Sequence, residues 1–150
     1  MLFRSDFLVG AAITDGKHDV MLFSDAGKAV RFDENDVRPM GRTARGVRGM
    51  NLGDGQEVIA MLVASAEVTE GGQASVEDAS APSSVLTATE NGYGKRTPIA
   101  EYTRHGRGTK GMIAIQTSER NGKVVAAALV SPEDQIMLIT TGGEIGRAHV

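Results

Sequence analysis

The chain has 150 residues, 41% of them hydrophobic, with 16 Lys and Arg against 19 Asp and Glu, a formal net charge of −3 and no cysteine. That length suits one domain or a few units of a repeat array, and the missing cysteines exclude disulfides and thiolate metal sites. His18, His105 and His149 each lack a second ligand at metal spacing in the sequence, no apolar run approaches the roughly 20 residues of a membrane helix, and no secretory segment follows Met1; the expectation is a cytoplasmic chain with no bound metal, no cofactor of its own and no membrane contact.

In chain order, an apolar run, Phe7 to Thr14, closes at the turn pair Asp15-Gly16. Asp19 to Ser24 and Ala29 to Phe32 flank Asp25-Ala26-Gly27-Lys28, which reads as a β-hairpin because short apolar strands bracket an Asp-x-Gly turn. Gln56 to Val63 predicts a further strand after the turn Gly53-Asp54-Gly55. A second hairpin follows, Ser84 to Thr89 and Tyr93 to Arg96 around Glu90-Asn91-Gly92, and Asn-Gly favours a turn because both residues tolerate positive φ. Lys123 to Val130 predicts the next strand, after Arg120-Asn121-Gly122. With 19 glycines and only short, turn-bounded runs, no helix of any length is placed, and the fold class is all-β.

These elements repeat. Val20 to Gly27 returns as Val85 to Gly92, 65 residues on, and starts again at Ile136 to Gly143, 51 residues further. A short period of strand-like runs points to propeller-like blades, each burying a face against its neighbours. The extra residues of the first interval fall in 65–83, a small, polar and acidic stretch (Glu67, Glu70, Glu77, Asp78). It lacks the apolar surface to order itself and reads as a solvated insert loop; a linker between two domains is the alternative.

Basic residues recur with the repeat. Lys28, Arg31, Arg38, Arg42, Arg45 and Arg48 crowd the first module, and Lys95, Arg96, Arg104, Arg107 and Lys110 the second. Net acidity therefore hides local positive charge, and phosphate binding is local, since each neutralised phosphate releases a counterion. Gly41, Gly46 and Gly49 alternate with the first set, and Gly106, Gly108 and Gly111 with the second. Glycine lets backbone N–H groups approach a phosphate, while arginine adds a forked donor pair. Few aromatics interleave them, which favours duplex backbone over single strands. Strand-edge arginines also serve as a solvated rim that discourages edge pairing, and periodicity alone does not separate the two readings. No carboxylate pair, Ser-His arrangement or Walker loop has catalytic context.

Met40-Gly41-Arg42-Thr43-Ala44-Arg45-Gly46-Val47-Arg48-Gly49 and Thr89-Glu90-Asn91-Gly92-Tyr93-Gly94-Lys95-Arg96-Thr97 resemble the C-terminal domain of the DNA gyrase A protein, as do Val30-Arg31-Phe32, Thr117 to Gly122 and Asp134 to Met137. Residues 6–144 are thereby expected to be an internal fragment of that domain. The terminal segments 1–5 and 145–150, which back-translate into sequencing-adapter-like DNA, are expected to be non-native, and Arg147 and His149 receive no role. The related domain of the topoisomerase IV A protein, and a protein-interaction propeller with a basic rim, are the alternatives.

The resemblance implies a β-pinwheel: a partial ring of four-stranded blades that exchange strands, about two blades plus part of a third. It implies binding and bending of double-stranded DNA around a basic outer rim, in support of ATP-dependent negative supercoiling by a nucleoid-associated heterotetramer of two gyrase A and two gyrase B proteins. ATP and Mg2+ would act elsewhere in that complex. Carried onto this sequence, Arg31, Arg42, Arg45 and Arg48 would meet phosphates on one blade and Lys95, Arg96, Arg107 and Lys110 on the next, with Gly41, Gly46 and Gly49 shaping the loop. The family's glutamine-arginine-arginine-glycine-glycine box is absent, and Gly41 to Gly49 is a degenerate relative of it, so binding without full wrapping is expected. The catalytic tyrosine motif is also absent, and Tyr93 and Tyr102 read as packing or rim residues.

Overall fold

A computed structural model describes residues 7–44, 46–65 and 84–149; the acidic insert from 66 to 83, Arg45 and the outermost terminal residues lie outside it. The described residues are all-β. Nine strands form three antiparallel sheets, joined by loops and two single 3-10 turns.

The first module is built on β1 (His18–Ser24) and β2 (Lys28–Asp33), paired with Met21 opposite Arg31, and on β3 (Val58–Ser65), paired with β1 so that Met21 lies opposite Leu62. The second repeats it with β4 (Ser84–Thr89), β5 (Gly94–Pro98) and β7 (Val124–Val130), with Leu86 opposite both Arg96 and Ala128. The likeness extends to details. Each sheet breaks register at the same place, Phe23/Ser24 and Ala88/Thr89. Asp25 and Glu90 each receive a side-chain hydrogen bond from the residue that precedes the third strand, Glu57 N–H at 3.1 Å and Lys123 N–H at 3.1 Å.

The fourth strand of the first sheet comes from the second module. β6 (Met112–Ile113) pairs with β2, giving the order β3-β1-β2-β6, whereas the second sheet has three strands, β5-β4-β7. A third hairpin, β8 (Gln135–Ile139) with β9 (Ile145–His149), forms a separate two-stranded sheet with Met137, Leu138, Ile139 and Ile145 exposed. Among the described residues the result is one complete blade, one lacking its outer strand, and the opening hairpin of a third. Phe7 to Thr14 is exposed and irregular, and Ile145–His149, within the segment expected to be non-native, forms β9.

Strand alternation sorts the core into two clusters. Met21, Phe23, Ala29 and Ala64 of the first module bury against Val85, Ile99, Tyr102 and Ala114 of the second, with Leu62, Ala127 and Leu129 at the margin. The opposite face of the first sheet holds Val30 and Phe32, packed with Met50 and Leu52 from the segment between β2 and β3. The larger cluster is therefore the seam between modules. Phe23 and Tyr102 meet across it edge-to-face, ring centroids 5.9 Å apart, a geometry that aromatic quadrupoles favour.

Candidate nucleic-acid interface

Beyond its hairpin each module sends out an arm: 34–52 from the first, 99–117 from the second. Each opens with a 3-10 turn, Glu34–Asp36 and Ile99–Glu101, closed by Val37 N–H to Glu34 O (3.1 Å) and Tyr102 N–H to Ile99 O (3.0 Å). The second arm is laid along the first module by backbone bonds: His105 N–H to Arg31 O (2.9 Å) and Ala114 N–H to Gly27 O (2.8 Å). It also runs beside the first arm. Met50 and Thr109 form a parallel bridge, flanked by Gly108 N–H to Gly49 O (2.6 Å) and Asn51 N–H to Thr109 O (2.8 Å).

That side-by-side course brings basic groups of both modules together. Arg107 donates from Nε to Asp36 O (3.1 Å) and from Nη1 to Arg48 O (3.2 Å), so its guanidinium is fixed across the first arm while its residue stays exposed. Arg48 and Lys110 are exposed beside it, and Arg42 is exposed further along the first arm. Lys95 and Arg96 are exposed on β5, in the other sheet, and strand alternation sends them to opposite faces. Arg45 lies outside the described residues. The expected single stripe is thus a strip on the paired arms plus a separate pair on β5.

Arg31 corrects the sequence reading. It is 4% exposed, ion-paired to the fully buried Asp19 (Nη2 to Oδ2, 2.7 Å; Nε to Oδ2, 2.8 Å), and its Nη1 donates to Ile99 O (3.2 Å) and Tyr102 O (3.0 Å) of the second arm. Arg104 of that arm completes the triad, its Nε 3.0 Å from Asp19 Oδ1. A guanidinium so enclosed joins modules and is not available to phosphate. Asp19 and Arg104 were missed as a pair. The one sequence signal was an acid, Asp19, two residues before Met21, the residue opposite Arg31, so that strand alternation puts Asp19 and Arg31 on one face.

The loop glycines divide. Gly46 adopts φ +84°, a left-handed conformation that favours glycine. A Cβ on Gly49 would press on Leu22 Cδ1 at 2.6 Å, so that glycine admits close packing, while Gly41 O closes a turn with Ala44 N–H at 3.1 Å.

Other polar groups frame the arms. The Asp33 carboxyl is held below its usual value, chiefly by the Asn35 backbone N–H, then by the Asn35 side chain, with Arg104 adding attraction. Burial pushes the Tyr102 hydroxyl above its ordinary value. Tyr93, half-exposed, carries Arg120 over its ring at 5.1 Å and accepts its Nε–H at 2.8 Å, a cation–aromatic contact that the sequence reading did not single out. The fold also gathers Asp15, His18 and Glu34, with ligand atoms within 4.8 Å, although the sequence shows His18 alone. Among the described residues no helix is long and apolar enough to cross a membrane.

Comparison with known proteins places this geometry. The family model described as the DNA gyrase C-terminal domain, beta-propeller, matches residues 18–65 and 83–131, the two modules. The DNA gyrase A protein of Pseudomonas aeruginosa is 49% identical over 99% of the chain, and that of Escherichia coli 45% over 99%; the chain spans 14% and 15% of their lengths. Among solved structures, a DNA gyrase A C-terminal domain superposes with TM-score 0.79 at 29% identity, over 98% of this chain and 45% of that one. The C-terminal domain of DNA topoisomerase IV gives 0.81 at 22% identity, over 99% and 42%, a likeness of fold. The chain belongs to the DNA gyrase C-terminal domain family of β-propellers.

Proposed function

We propose that the chain is a DNA-binding and DNA-bending module of a type II topoisomerase, gripping duplex by its phosphates without reading sequence. The observation that carries this is the parallel pairing of the two arms at Met50–Thr109, which sets Arg48, Arg107 and Lys110 on one exposed strip. Arg107 is pre-set by its two carbonyl contacts, so less side-chain freedom is lost on meeting a phosphate. Arg42, Arg45 and Lys95 extend the contact set, and Arg31 is removed from it. Gly46 and Gly49 hold the first arm in shape.

Bending a duplex of 20–30 base pairs costs about 1–6 kcal/mol, which a row of phosphate contacts offsets better than a single pocket. In the parent enzyme this supports ATP-dependent negative supercoiling within a cytoplasmic, nucleoid-associated heterotetramer of two gyrase A and two gyrase B proteins. The nucleotide and Mg2+ act outside this segment. The test is a duplex of about 30 base pairs carrying a fluorophore at each end. Adding the chain should raise energy transfer between the ends, and Arg42→Ala, Arg45→Ala, Arg48→Ala together should abolish the rise. Binding with unchanged transfer would leave a DNA-binding module without bending; no binding at low salt would end the proposal.

A further inference from the structure

Asp15, His18 and Glu34 meet where the first sheet gives way to its loops. Asp15 stands just before β1, His18 is the first residue of β1, and Glu34 opens the 3-10 turn that follows β2. Asp19 pairs with Asp33 at the end of the β1–β2 ladder. The next residue out on each side, His18 and Glu34, therefore leaves the sheet beside the other. One ligand atom from each of the three residues lies within 4.8 Å of the others. The two loops are also fastened together. Asn35 Nδ2 donates to Gly16 O (3.0 Å) and to Asp33 Oδ1 (2.8 Å), and Lys17 N–H donates to Asp15 Oδ1 (3.0 Å).

The polar atoms at this junction lack the partners they need. Both carboxylate oxygens of Glu34 are sealed from solvent, and neither has a hydrogen-bond partner. A carboxylate withdrawn from water requires a donor or a cation in its place. His18 Nδ1 lies 2.8 Å from Asp15 Oδ1, yet it has no hydrogen bond of acceptable alignment. A nitrogen and an oxygen that close need a shared proton or a cation between them. The blade does not require these groups for its own packing. The repeat shift of 65 carries Asp15, His18 and Glu34 onto Ser80, Ser83 and Ile99, and Ile99 is an apolar core residue, 1% exposed.

We propose that Asp15, His18 and Glu34 form a binding site for a divalent cation of the zinc class, which clips the segment before β1 to the root of the first arm. The donor set fixes the class of ion. Two carboxylates balance a double positive charge, and the imidazole favours zinc-like ions over Mg2+ and Ca2+, which prefer oxygen alone. Ligand atoms around a tetrahedral zinc lie roughly 3.5 Å apart. The Asp15 side chain, 63% exposed, is free to rotate inward by that difference. Water completes the coordination. The reading departs from the sequence expectation of a chain with no bound metal, and it does not rest on the DNA reading.

The experiment titrates Zn2+ into the 150-residue chain, stripped of metal with a chelator and dialysed, and reads the heat of binding at neutral pH. A single site should saturate. Glu34→Gln, which keeps the side chain's size and removes its charge, should weaken binding at least about tenfold, and His18→Asn should do the same. His105→Asn and His149→Asn together should leave the affinity as it was. Mg2+ should bind at least about tenfold more weakly than Zn2+. A thermal melt supplies a second readout. Zn2+ at about 100 times its Kd should raise Tm by roughly 5 °C or more, and Glu34→Gln should lose that rise while still melting cooperatively without metal. An ordinary His18–Asp15 ion pair predicts no cation binding at all, and that result would overturn the proposal. Equal affinity in Glu34→Gln or His18→Asn, dependence on His105 and His149, or Mg2+ binding as tight as Zn2+ would overturn it as well.

Discussion

Replacing Asp19 with Asn removes the charge that balances Arg31, which is 4% exposed, and also loosens Arg104. The guanidinium of Arg31 keeps its carbonyl partners Ile99 O and Tyr102 O, so hydrogen bonding survives in part while the ionic balance does not. Breaking a buried pair from one side costs about 3–5 kcal/mol. Arg104, about one-third exposed, regains water and adds little. For a chain of this size a loss of that order lowers Tm by roughly 10 °C. Differential scanning calorimetry of the chain and of Asp19→Asn measures it directly. The double substitution Asp19→Asn, Arg31→Met should restore most of the loss, because it removes the uncompensated cation along with the anion. A fall of less than about 1 kcal/mol would refute the reasoning, as would a double variant whose loss is the sum of the singles.

Three further outcomes follow from the same geometry. Gly111→Ala should destabilise by several kcal/mol, since its φ is +82° and a Cβ would strike the Ala29 carbonyl. Gly46→Ala, at φ +84° with nothing within 4 Å, should cost only about 1 kcal/mol; chemical denaturation separates the two. Because burial raises the Tyr102 hydroxyl, the unfolded chain loses that proton first, so stability is whole below about pH 10 and falls as pH rises through the folded value. Tyr102→Phe should remove that part of the alkaline decline. For Asp33, lowered by the Asn35 N–H, the sign reverses: its contribution is present above the ordinary carboxylate range and is lost as pH falls through its folded value, a change that Asp33→Asn should erase from acid melting curves.

The hairpins were legible because their signals are local. Asp25-Ala26-Gly27 and Glu90-Asn91-Gly92 punctuate apolar runs, and positive φ at Gly27 (+82°) and Gly92 (+87°) is what such turns require. The arms were not. They lack apolar periodicity, and their course is set by backbone bonds to another module, such as His105 N–H to Arg31 O. The two residues of β6 become a strand only by pairing with β2, which no local pattern announces. Arg31 was misplaced for a related reason. A sequence displays charge but not depth, and the burial of Arg31 depends on Asp19, 12 residues earlier in the chain, and on the carbonyls of Ile99 and Tyr102, 68 and 71 residues later. Charge segregation, in contrast, was readable without the fold, and Arg42, Arg48, Lys95, Arg96, Arg107 and Lys110 are all exposed.

The most direct measurement is duplex affinity as a function of salt for the chain and for Arg48→Ala, Arg107→Ala, Lys110→Ala together. If the paired arms form the phosphate-binding strip, log affinity falls linearly with log salt, and the triple variant flattens that slope by about 3 while weakening unrelated sequences alike. An unchanged slope, or weakening confined to particular sequences, would contradict the account.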